Sequence, residues 1–201
     1  VDIFYSHRFD PNTPLEETMS ALAQAVFQGK ALYVGISSYQ PDKTEEAIKI
    51  LRDLGVPCLI HQPQYSILER WVEDGLHDVL TQEQVGCAVF CPLAQGVLTN
   101  KYLSNIPENS RAAGSSEFLQ ESSITQEVVV AMNKLNKLAI SRGQNLAQMA
   151  ISWVLSKSFV TSAIIGASRL DQIKDCVKAV DNIEFSPEEL VQIDTIVQMN
   201  R

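Results

Sequence analysis

Short apolar runs recur along the chain, and they alternate with segments whose apolar residues repeat at helical spacing. The runs cover residues 1–5, 31–36, 57–60, 86–90 and 160–165. Runs of this length without polar alternation are typical of parallel strands buried on both faces. The first four begin about 30 residues apart, the usual length of a strand–helix–strand unit. The pattern therefore predicts an α/β fold with a parallel sheet.

Between these runs, apolar residues at helical spacing predict the helices. The first is marked by Thr13-Pro14-Leu15-Glu16, which combines the spacing of a capping box with proline at the first helical position, and it ends at Gly29. Ser186-Pro187-Glu188-Glu189 repeats this signal before the last helix. The other predicted helices cover residues 42–54, 71–83, 126–141, 146–156 and 170–180. The polar loop over residues 92–123 has a length that is usually functional.

The composition narrows the class of protein. The 201 residues carry a formal charge of −8 and have a pI near 4.9, which opposes binding to nucleic acid. No uncharged apolar stretch approaches the roughly 20 residues of a membrane helix, so membrane insertion is not expected. The four cysteines contain no CxxC pair and the three histidines no HxxxH pair, so no metal site is predicted. The thiols are expected to be reduced, which favours the cytoplasm.

Polar residues cluster directly after the apolar runs. They are His7 with Arg8, Ser37 with Ser38, Gln62 with Gln64, Gln95, and Ser168 with Arg169. Parallel strands have their carboxyl ends at one edge of a sheet, so we expect these groups to converge there into a ligand site.

A doubly wound sheet and part of a (β/α)8 TIM barrel both fit this pattern. The chain contains neither GxGxxG nor GxxxxGK[ST], the glycine-rich turns expected of a doubly wound nucleotide-binding protein, and this favours the barrel. Five strands cannot close an eight-stranded barrel, which takes about 250 residues. We therefore expect residues 1–201 to form a single barrel domain that lacks about three βα units before Val1.

Five motifs occur in an order and at a spacing that resemble the aldo-keto reductases. They are Asp2-Ile3-Phe4-Tyr5-Ser6-His7, Gly35-Ile36-Ser37-Ser38-Tyr39, His61-Gln62-Pro63-Gln64-Tyr65-Ser66, Phe90-Cys91-Pro92-Leu93-Ala94-Gln95-Gly96 with Leu98 and Lys101-Tyr102, and Ile165-Gly166-Ala167-Ser168. The likeness covers the whole chain, as the carboxyl-terminal two-thirds of such an enzyme. Within the family it resembles most the bacterial L-glyceraldehyde 3-phosphate reductases and the potassium-channel β subunits. It implies that this chain supplies strands 4 to 8 of the barrel.

The resemblance implies an NADP-dependent oxidoreductase. In this family NADP(H) exchanges a hydride with a small aldehyde or ketone, for which L-glyceraldehyde 3-phosphate and methylglyoxal are the expected examples. The family's catalytic tyrosine, lysine and aspartate belong to earlier strands, and none of the five tyrosines here lies in the family's tyrosine motif. The isolated chain is therefore expected to be inactive and, with two open sheet edges, poorly stable.

A second function is open at this point. Like the channel β subunits, the protein could be a cofactor-binding, redox-sensing regulatory subunit with little turnover. The expected partner is a small carbonyl substrate. A homo-oligomer of this chain is a further possibility.

One group of site residues is implied to surround the nicotinamide. His7 is implied to be catalytic by orienting the carbonyl and stabilising the alkoxide, and the alternative is a histidine satisfied in the core. Ser37, Ser38 and Gln62 are implied to hold the carboxamide, although serines after strands also cap helices. Phe90 is implied to stack on the ring, and its alternative is core packing.

A second group is implied to bind the phosphates. The residues implied at the pyrophosphate are Pro92, Leu93, Ala94, Gln95, Gly96, Leu98, Lys101 and Arg111, with a solvated lid as the alternative for the two cations. The residues implied at the 2′-phosphate are Gly166, Ser168, Arg169 and Gln172. Free amides at a helix N-terminus, a hydroxyl and an unpaired guanidinium suit that phosphate, which favours NADPH over NADH. At the adenine side the family's acidic residue is matched by Asp175, whereas Cys176 stands where the family has asparagine. Cys91 is interpreted as packing.

Overall fold

The computed structural model describes residues 1–108, 110, 112–114 and 119–198. The chain divides into two compact units. Unit 1 contains Val1–Gln64, Arg70–Phe90 and Ser158–Ser162, and unit 2 contains Tyr65–Glu69, Cys91–Lys157 and Ala163–Arg201. That residues 1–201 belong to a single barrel domain stays a prediction.

Strands and helices alternate along the described chain as the apolar pattern predicts. The strands are β1 (Ile3–Ser6), β2 (Tyr33–Ser37), β3 (Cys58–Gln62), β4 (Gly86–Phe90) and β5 (Ser162–Ile164). The helices are α1 (Leu15–Phe27), α2 (Pro41–Asp53), α3 (Leu76–Gln82), α4 (Gln126–Ser141), α5 (Leu146–Leu155), α6 (Leu170–Val177) and α7 (Pro187–Gln198). No helix in the described ranges is long and apolar enough to cross a membrane.

The strands form one sheet in chain order. β1 with β2, β2 with β3, and β3 with β4 are parallel pairs, which confirms the predicted sheet type. At the start of β5, the amide of Thr161 donates to the carbonyl of Cys87 at 2.8 Å, and its hydroxyl accepts from the Cys87 amide at 3.0 Å. α1 packs against β1 and β2, and α2 packs against β3, so helices cover this sheet as in other βα folds.

An extra residue in β3 changes which side chains share a face. Val34 of β2 pairs with Cys58, but the next residue, Gly35, pairs with Ile60, so Leu59 is left between the two pairs. Such an irregularity shifts the alternation of faces by one residue. The following pairs are Ile36 with His61 and Ser37 with Gln62.

Two predicted helix starts differ in their capping. At α7 the hydroxyl of Ser186 accepts from the Glu189 amide at 3.2 Å, and the Glu189 carboxylate accepts from the Ser186 amide at 2.8 Å, which confirms the predicted cap. At α1 the prediction was wrong. The N-cap is Pro14, and the Thr13 hydroxyl instead donates to the Asp10 carboxylate at 2.8 Å. An aspartate three residues earlier offers that hydroxyl a charged partner, which outcompetes the helix amides.

The predicted helix over residues 71–83 is broken. A 3-10 turn over Trp71–Glu73 and the helix α3 are separated by Gly75, whose φ is 102°. This region of φ is open to glycine and costly for other residues, so the glycine ends the first turn and starts the second. The predicted helix over 170–180 likewise becomes α6 followed by a 3-10 segment, Lys178–Asn182.

The core of unit 2 is built on α5. All residues of α5 from Leu146 to Val154 are buried. Trp153 is fully buried and stacks on Tyr65, with ring centroids 5.3 Å apart. Stacked rings of this size bury much apolar surface, so α5 is the central element of this unit.

One imidazole lies inside unit 1. His61 on β3 is fully buried, its Nε2 lies 3.3 Å from the carbonyl oxygen of Tyr39, and its Nδ1 has no hydrogen-bond partner. Burial disfavours the charged ring and lowers the pKa of His61 to about 4. His61 is therefore neutral at physiological pH.

Gly35→Ala is predicted to destabilise the chain. An added Cβ would lie 2.6 Å from the Tyr5 ring and 2.9 Å from the carbonyl oxygen of Ile60, and the second of these is backbone. We expect a loss of about 1–3 kcal/mol in the free energy of unfolding, measured by urea denaturation. The matched control is Gly166→Ala, where a Cβ would meet nothing within 4 Å. Equal losses in the two variants would contradict the prediction.

His61 is predicted to make stability depend on pH below neutrality. Its pKa is about 4 when folded and has an ordinary value of 6.5, so the unfolded chain binds more protons between these values. The free energy of unfolding should fall by about 3 kcal/mol as pH drops from 6.5 to 4, and the loss should be absent above about pH 7.5.

The test compares denaturation at several pH values in the wild type, His61→Gln and His77→Gln. Glutamine at position 61 can still donate to the Tyr39 carbonyl but does not titrate, so its profile should be flatter than that of the other two. The prediction fails if all three profiles have the same slope between these pH values.

Candidate functional site

The carboxyl ends of β2 and β3 lie side by side in unit 1. Ser37 and Gln62 are paired in register, and the Ser37 hydroxyl donates to the Gln62 carbonyl at 2.6 Å. Burial raises the pKa of Tyr5 on β1, and the neighbouring side chain of Gln62 partly opposes that shift. Two of the groups predicted at the nicotinamide are thus in contact, and both are fixed by neighbouring strands.

Ser38 adopts a strained conformation just past the end of β2. Its φ is 59°, in the left-handed region that non-glycine residues seldom occupy, and it is exposed. The N-cap of α2 is Gln40, so the interpretation of Ser37 and Ser38 as caps of this helix is wrong. Strain of this kind persists only where surrounding contacts impose it, and it often marks functional sites.

Backbone strain also occurs just after the end of β4. Of the five described non-glycine residues with positive φ, Cys91, Ala94 and Gln95 directly follow β4, while Gln84 precedes it. Strained backbone therefore gathers where strands end, the edge at which sequence analysis predicts a ligand site.

His7 directly follows the end of β1 and is exposed. A histidine satisfied in the core would be buried, so that alternative is wrong. The residue before it is held in place, because the Ser6 hydroxyl lies 2.8 Å from the hydroxyl of Tyr39. An exposed imidazole after a fixed strand end can donate a hydrogen bond to a ligand.

Phe90 is the last residue of β4 and is half-buried. Its amide donates to the carbonyl of Pro63 at 2.9 Å, and it forms a parallel bridge with Gln64. The alternative of a fully buried core residue does not describe this ring.

In unit 2 the loop after β4 is shaped by its own hydrogen bonds. The amides of Ala94, Gly96 and Leu98 donate to carbonyls of Cys91 and Leu93 at 2.9–3.1 Å. These three amides therefore stabilise the loop itself. A pyrophosphate at this loop would have to be bound by other donors. The Gln95 side chain donates to the sulfur of Cys91 at 3.0 Å, so Cys91 lies in this network as a packed residue.

The other residues predicted for this loop differ in exposure. Pro92 and Leu98 are buried and expose little surface to a ligand, whereas Leu93 is half-buried. Lys101 is exposed, as either the pyrophosphate or the lid interpretation requires. Arg111 lies outside the described residues.

The start of α6 has its donors already occupied. The Gln172 side-chain oxygen accepts from the Ser168 amide at 2.8 Å, from the Ser168 hydroxyl at 3.3 Å and from the Arg169 amide at 3.2 Å. The guanidinium of Arg169 pairs with the carboxylate of Asp171, with its Nε and Nη2 each 3.0 Å from an oxygen. The amides of Ser168 and Arg169 are therefore occupied and the guanidinium is paired, so the expectation that these groups are free is wrong.

The same geometry nevertheless suits an anion. Three donors meet on one oxygen atom, which is how a loop before a helix holds one phosphate oxygen. Ser168 and Arg169 are exposed, and a Cβ on Gly166 would meet no atom within 4 Å. The turn is therefore accessible to a ligand.

Asp175 has a different partner from the one the resemblance implies. Its carboxylate accepts from the side chains of Asn145 and Gln148 at 2.8 Å, and these two residues form the capping box of α5. Asp175 therefore fixes α6 against the start of α5. Sequence analysis missed this cluster, although an asparagine three residues before a glutamine is a capping-box signal. Next to it, burial and the Asp175 charge raise the pKa of Cys176.

The described ranges hold a further cavity and no cluster of metal ligands. No three His, Cys, Asp or Glu residues there are grouped as a metal ion would need. A cavity of about 440 Å³ in unit 2 lies between α4 and α7, and it is lined by residues such as Lys137 and Val191, none of which was predicted to bind a cofactor.

The chain is similar to known proteins over nearly its whole length. It is 52% identical over 198 residues to L-glyceraldehyde 3-phosphate reductase of Escherichia coli (strain K12), covering 96% of this chain and 57% of that protein. It is 36% identical over 203 residues to a probable voltage-gated potassium channel subunit beta of Oryza sativa subsp. japonica, covering 98% of this chain and 62% of that protein. The chain thus spans about 60% of the length of these relatives.

A solved structure has the same fold. A thermostable aldo-keto reductase crystallised with the inhibitor epalrestat matches with a TM-score of 0.72 and 27% identity, over 98% of this chain and 60% of that one. This match confirms that the parallel sheet resembles the corresponding part of an aldo-keto reductase barrel. A model of the aldo/keto reductase family matches residues 1–198. The strand-end groups, the fold and these relatives agree, and the chain belongs to the aldo/keto reductase family.

Proposed function

We propose that this protein uses NADPH to reduce small aldehydes or ketones, and that residues 1–201 supply the cofactor-binding part and one catalytic histidine. L-Glyceraldehyde 3-phosphate and methylglyoxal are the substrates we favour. The observation that carries the proposal is the contact of Ser37 with Gln62 at adjoining strand ends, in a chain of this family. The 52% identical relative is a reductase of an aldehyde, which supports this class of substrate.

The groups of unit 1 would act on the nicotinamide side. When bound, the reduced cofactor supplies the hydride for the carbonyl carbon. Ser37, Ser38 and Gln62 offer hydroxyls and an amide for the flat carboxamide, which fixes the face of the ring that meets the substrate. The ring of Phe90 offers an aromatic plane for stacking.

His7 would act on the substrate oxygen. An imidazole N–H that donates to the carbonyl stabilises the negative charge that develops as the hydride arrives. Proton donation is assigned to the family's tyrosine, which none of the tyrosines at positions 5, 33, 39, 65 and 102 replaces.

The groups of unit 2 would bind the phosphates. The donors of Ser168 and Arg169 that now meet on the Gln172 oxygen suit one oxygen of the 2′-phosphate. The guanidinium of Arg169 would then share its charge between that phosphate and Asp171. NADH lacks this phosphate, so the proposal favours NADPH.

A second function is supported by the channel β subunits among the relatives, at 36% identity. In that case the protein would keep the cofactor bound, turn it over very slowly and act through a partner protein. Steady-state aldehyde reduction distinguishes the two, because only an enzyme oxidises many equivalents of NADPH.

Arg169→Ala is predicted to weaken NADPH binding about tenfold and to leave NADH binding unchanged, because only NADPH offers the phosphate. The measurement is fluorescence titration of the 201-residue chain with each cofactor. Lys174→Ala, which removes another exposed cation from α6, is the matched control and should bind both cofactors like the wild type. An equal loss for both cofactors in Arg169→Ala would contradict the 2′-phosphate assignment.

His7→Ala is predicted to lower kcat by about 100-fold without changing the affinity for NADPH, because it removes one donor to the developing alkoxide. The assay needs a form of the protein that also carries the family's tyrosine, lysine and aspartate, since the 201-residue chain by itself should not oxidise NADPH. His77→Ala is the control and should keep full activity. The proposal is wrong if the complete form binds NADPH and reduces no small aldehyde.

A further inference from the structure

We propose that Tyr39 is a positioning residue that joins the carboxyl ends of β1, β2 and β3 and thereby sets the place of His7. The inference rests on the proposed function of His7. Tyr39 follows the strained Ser38 and is itself 1% exposed, so it lies beneath the strand ends without being available to a ligand.

Tyr39 contacts the chain on both sides of His7. Its hydroxyl lies 2.8 Å from the hydroxyl of Ser6, the residue directly before His7. Its ring meets the ring of Phe9 edge to face, with centroids 5.7 Å apart and planes at 69°. His7 is exposed, so packing of its own ring does not fix it. The segment that carries His7 is therefore held at two points by one side chain.

The backbone of Tyr39 is held from the other direction. Its carbonyl oxygen lies 3.3 Å from Nε2 of His61 and accepts from the hydroxyl of Thr44 at 3.2 Å. A carbonyl can only accept, so the contact with His61 requires the ring proton on Nε2. The burial that keeps His61 neutral leaves a single ring proton for this bond. Because Gln62 directly follows His61, the same contact ties Tyr39 to the strand end that carries the carboxamide-binding group.

Replacing Tyr39 by phenylalanine tests the role of its hydroxyl separately from the packing of its ring. Burial raises the pKa of Tyr39, so the group stays protonated and neutral at physiological pH. Phenylalanine would fill the same volume and keep the contact with Phe9, but it would lose the bond to Ser6. Removal of one oxygen atom should thus move His7 while the fold is kept.

The experiment is NMR of the histidine rings in the 201-residue chain, comparing the wild type with Tyr39→Phe. The chain has three histidines, so each signal is assigned by replacing them singly. We expect the His7 signals to shift in Tyr39→Phe and the His77 signals to stay in place. The matched control is Tyr33→Phe, which removes the hydroxyl of an exposed tyrosine on β2 and should shift neither.

Ser6→Ala removes the other partner of the same bond and keeps the inference testable if Tyr39→Phe does not fold. It also removes the 3.5 Å bond from the Ser6 hydroxyl to the Arg8 carbonyl, so it should shift His7 at least as far as Tyr39→Phe does. Adding Tyr39→Phe to Ser6→Ala should cause no further shift. Unchanged His7 signals in a folded Tyr39→Phe or Ser6→Ala chain would overturn the inference, and so would an equal shift in Tyr33→Phe.

Titration with NADPH and an activity assay separate this inference from the proposed function. In a form of the protein that also carries the family's tyrosine, lysine and aspartate, Tyr39→Phe should lower kcat about tenfold, the factor for one ordinary hydrogen bond, with the Kd for NADPH unchanged. A loss of NADPH affinity in place of kcat would overturn the link to His7. If the wild type binds no NADPH while the His7 signals still respond to Tyr39→Phe, the positioning by Tyr39 stands and the proposed function falls.

Discussion

The parallel hydrogen-bond ladder of β1 to β4 is the constraint on which the rest of the structure depends. Parallel strands all point the same way, so the residue after each strand arrives at the same edge of the sheet. The ladder brings Ser37 beside Gln62 and leaves His7 and Ser38 at neighbouring exits. Groups that are about 30 residues apart in the chain become neighbours because each connecting helix brings the chain back to the edge of the sheet where the next strand starts.

The edge is also held by contacts that lie beneath it. Ser38 occupies a costly backbone region, and buried contacts of the next residue hold it there. The strained backbone of Ser38 thus lies at the surface, and the hydrogen bonds of Tyr39 that maintain it are buried beneath. The start of α6 in unit 2 is held differently. There the Gln172 side-chain oxygen accepts from two backbone amides that would otherwise bind water. Both ends are shaped by contacts within the chain itself.

Much of this could be predicted from sequence, and the failures have physical causes. Strand and helix positions follow from apolar periodicity, which is local information. The pairing of Arg169 with Asp171 and the role of Tyr39 depend on rotamers and on partners distant in the chain, for which a single sequence carries no signal. Thr13 shows the same limit over a short range. Its neighbours in the sequence allow either a helix cap or a bond to the Asp10 carboxylate, and the sequence does not indicate which one forms.

The unpaired Leu59 in β3 has a consequence for the chemistry at this edge of the sheet. Side chains of a strand alternate between its two sides, so a single added residue decides whether the imidazole at 61 or the amide at 62 faces Ser37. Without the irregularity the same sequence would place His61 opposite Ser37, whereas deleting Leu59 would leave Gln62 there in a regular ladder. The chemistry offered at this edge is therefore set by one residue that lies outside the pairing, and not by the length of the strand.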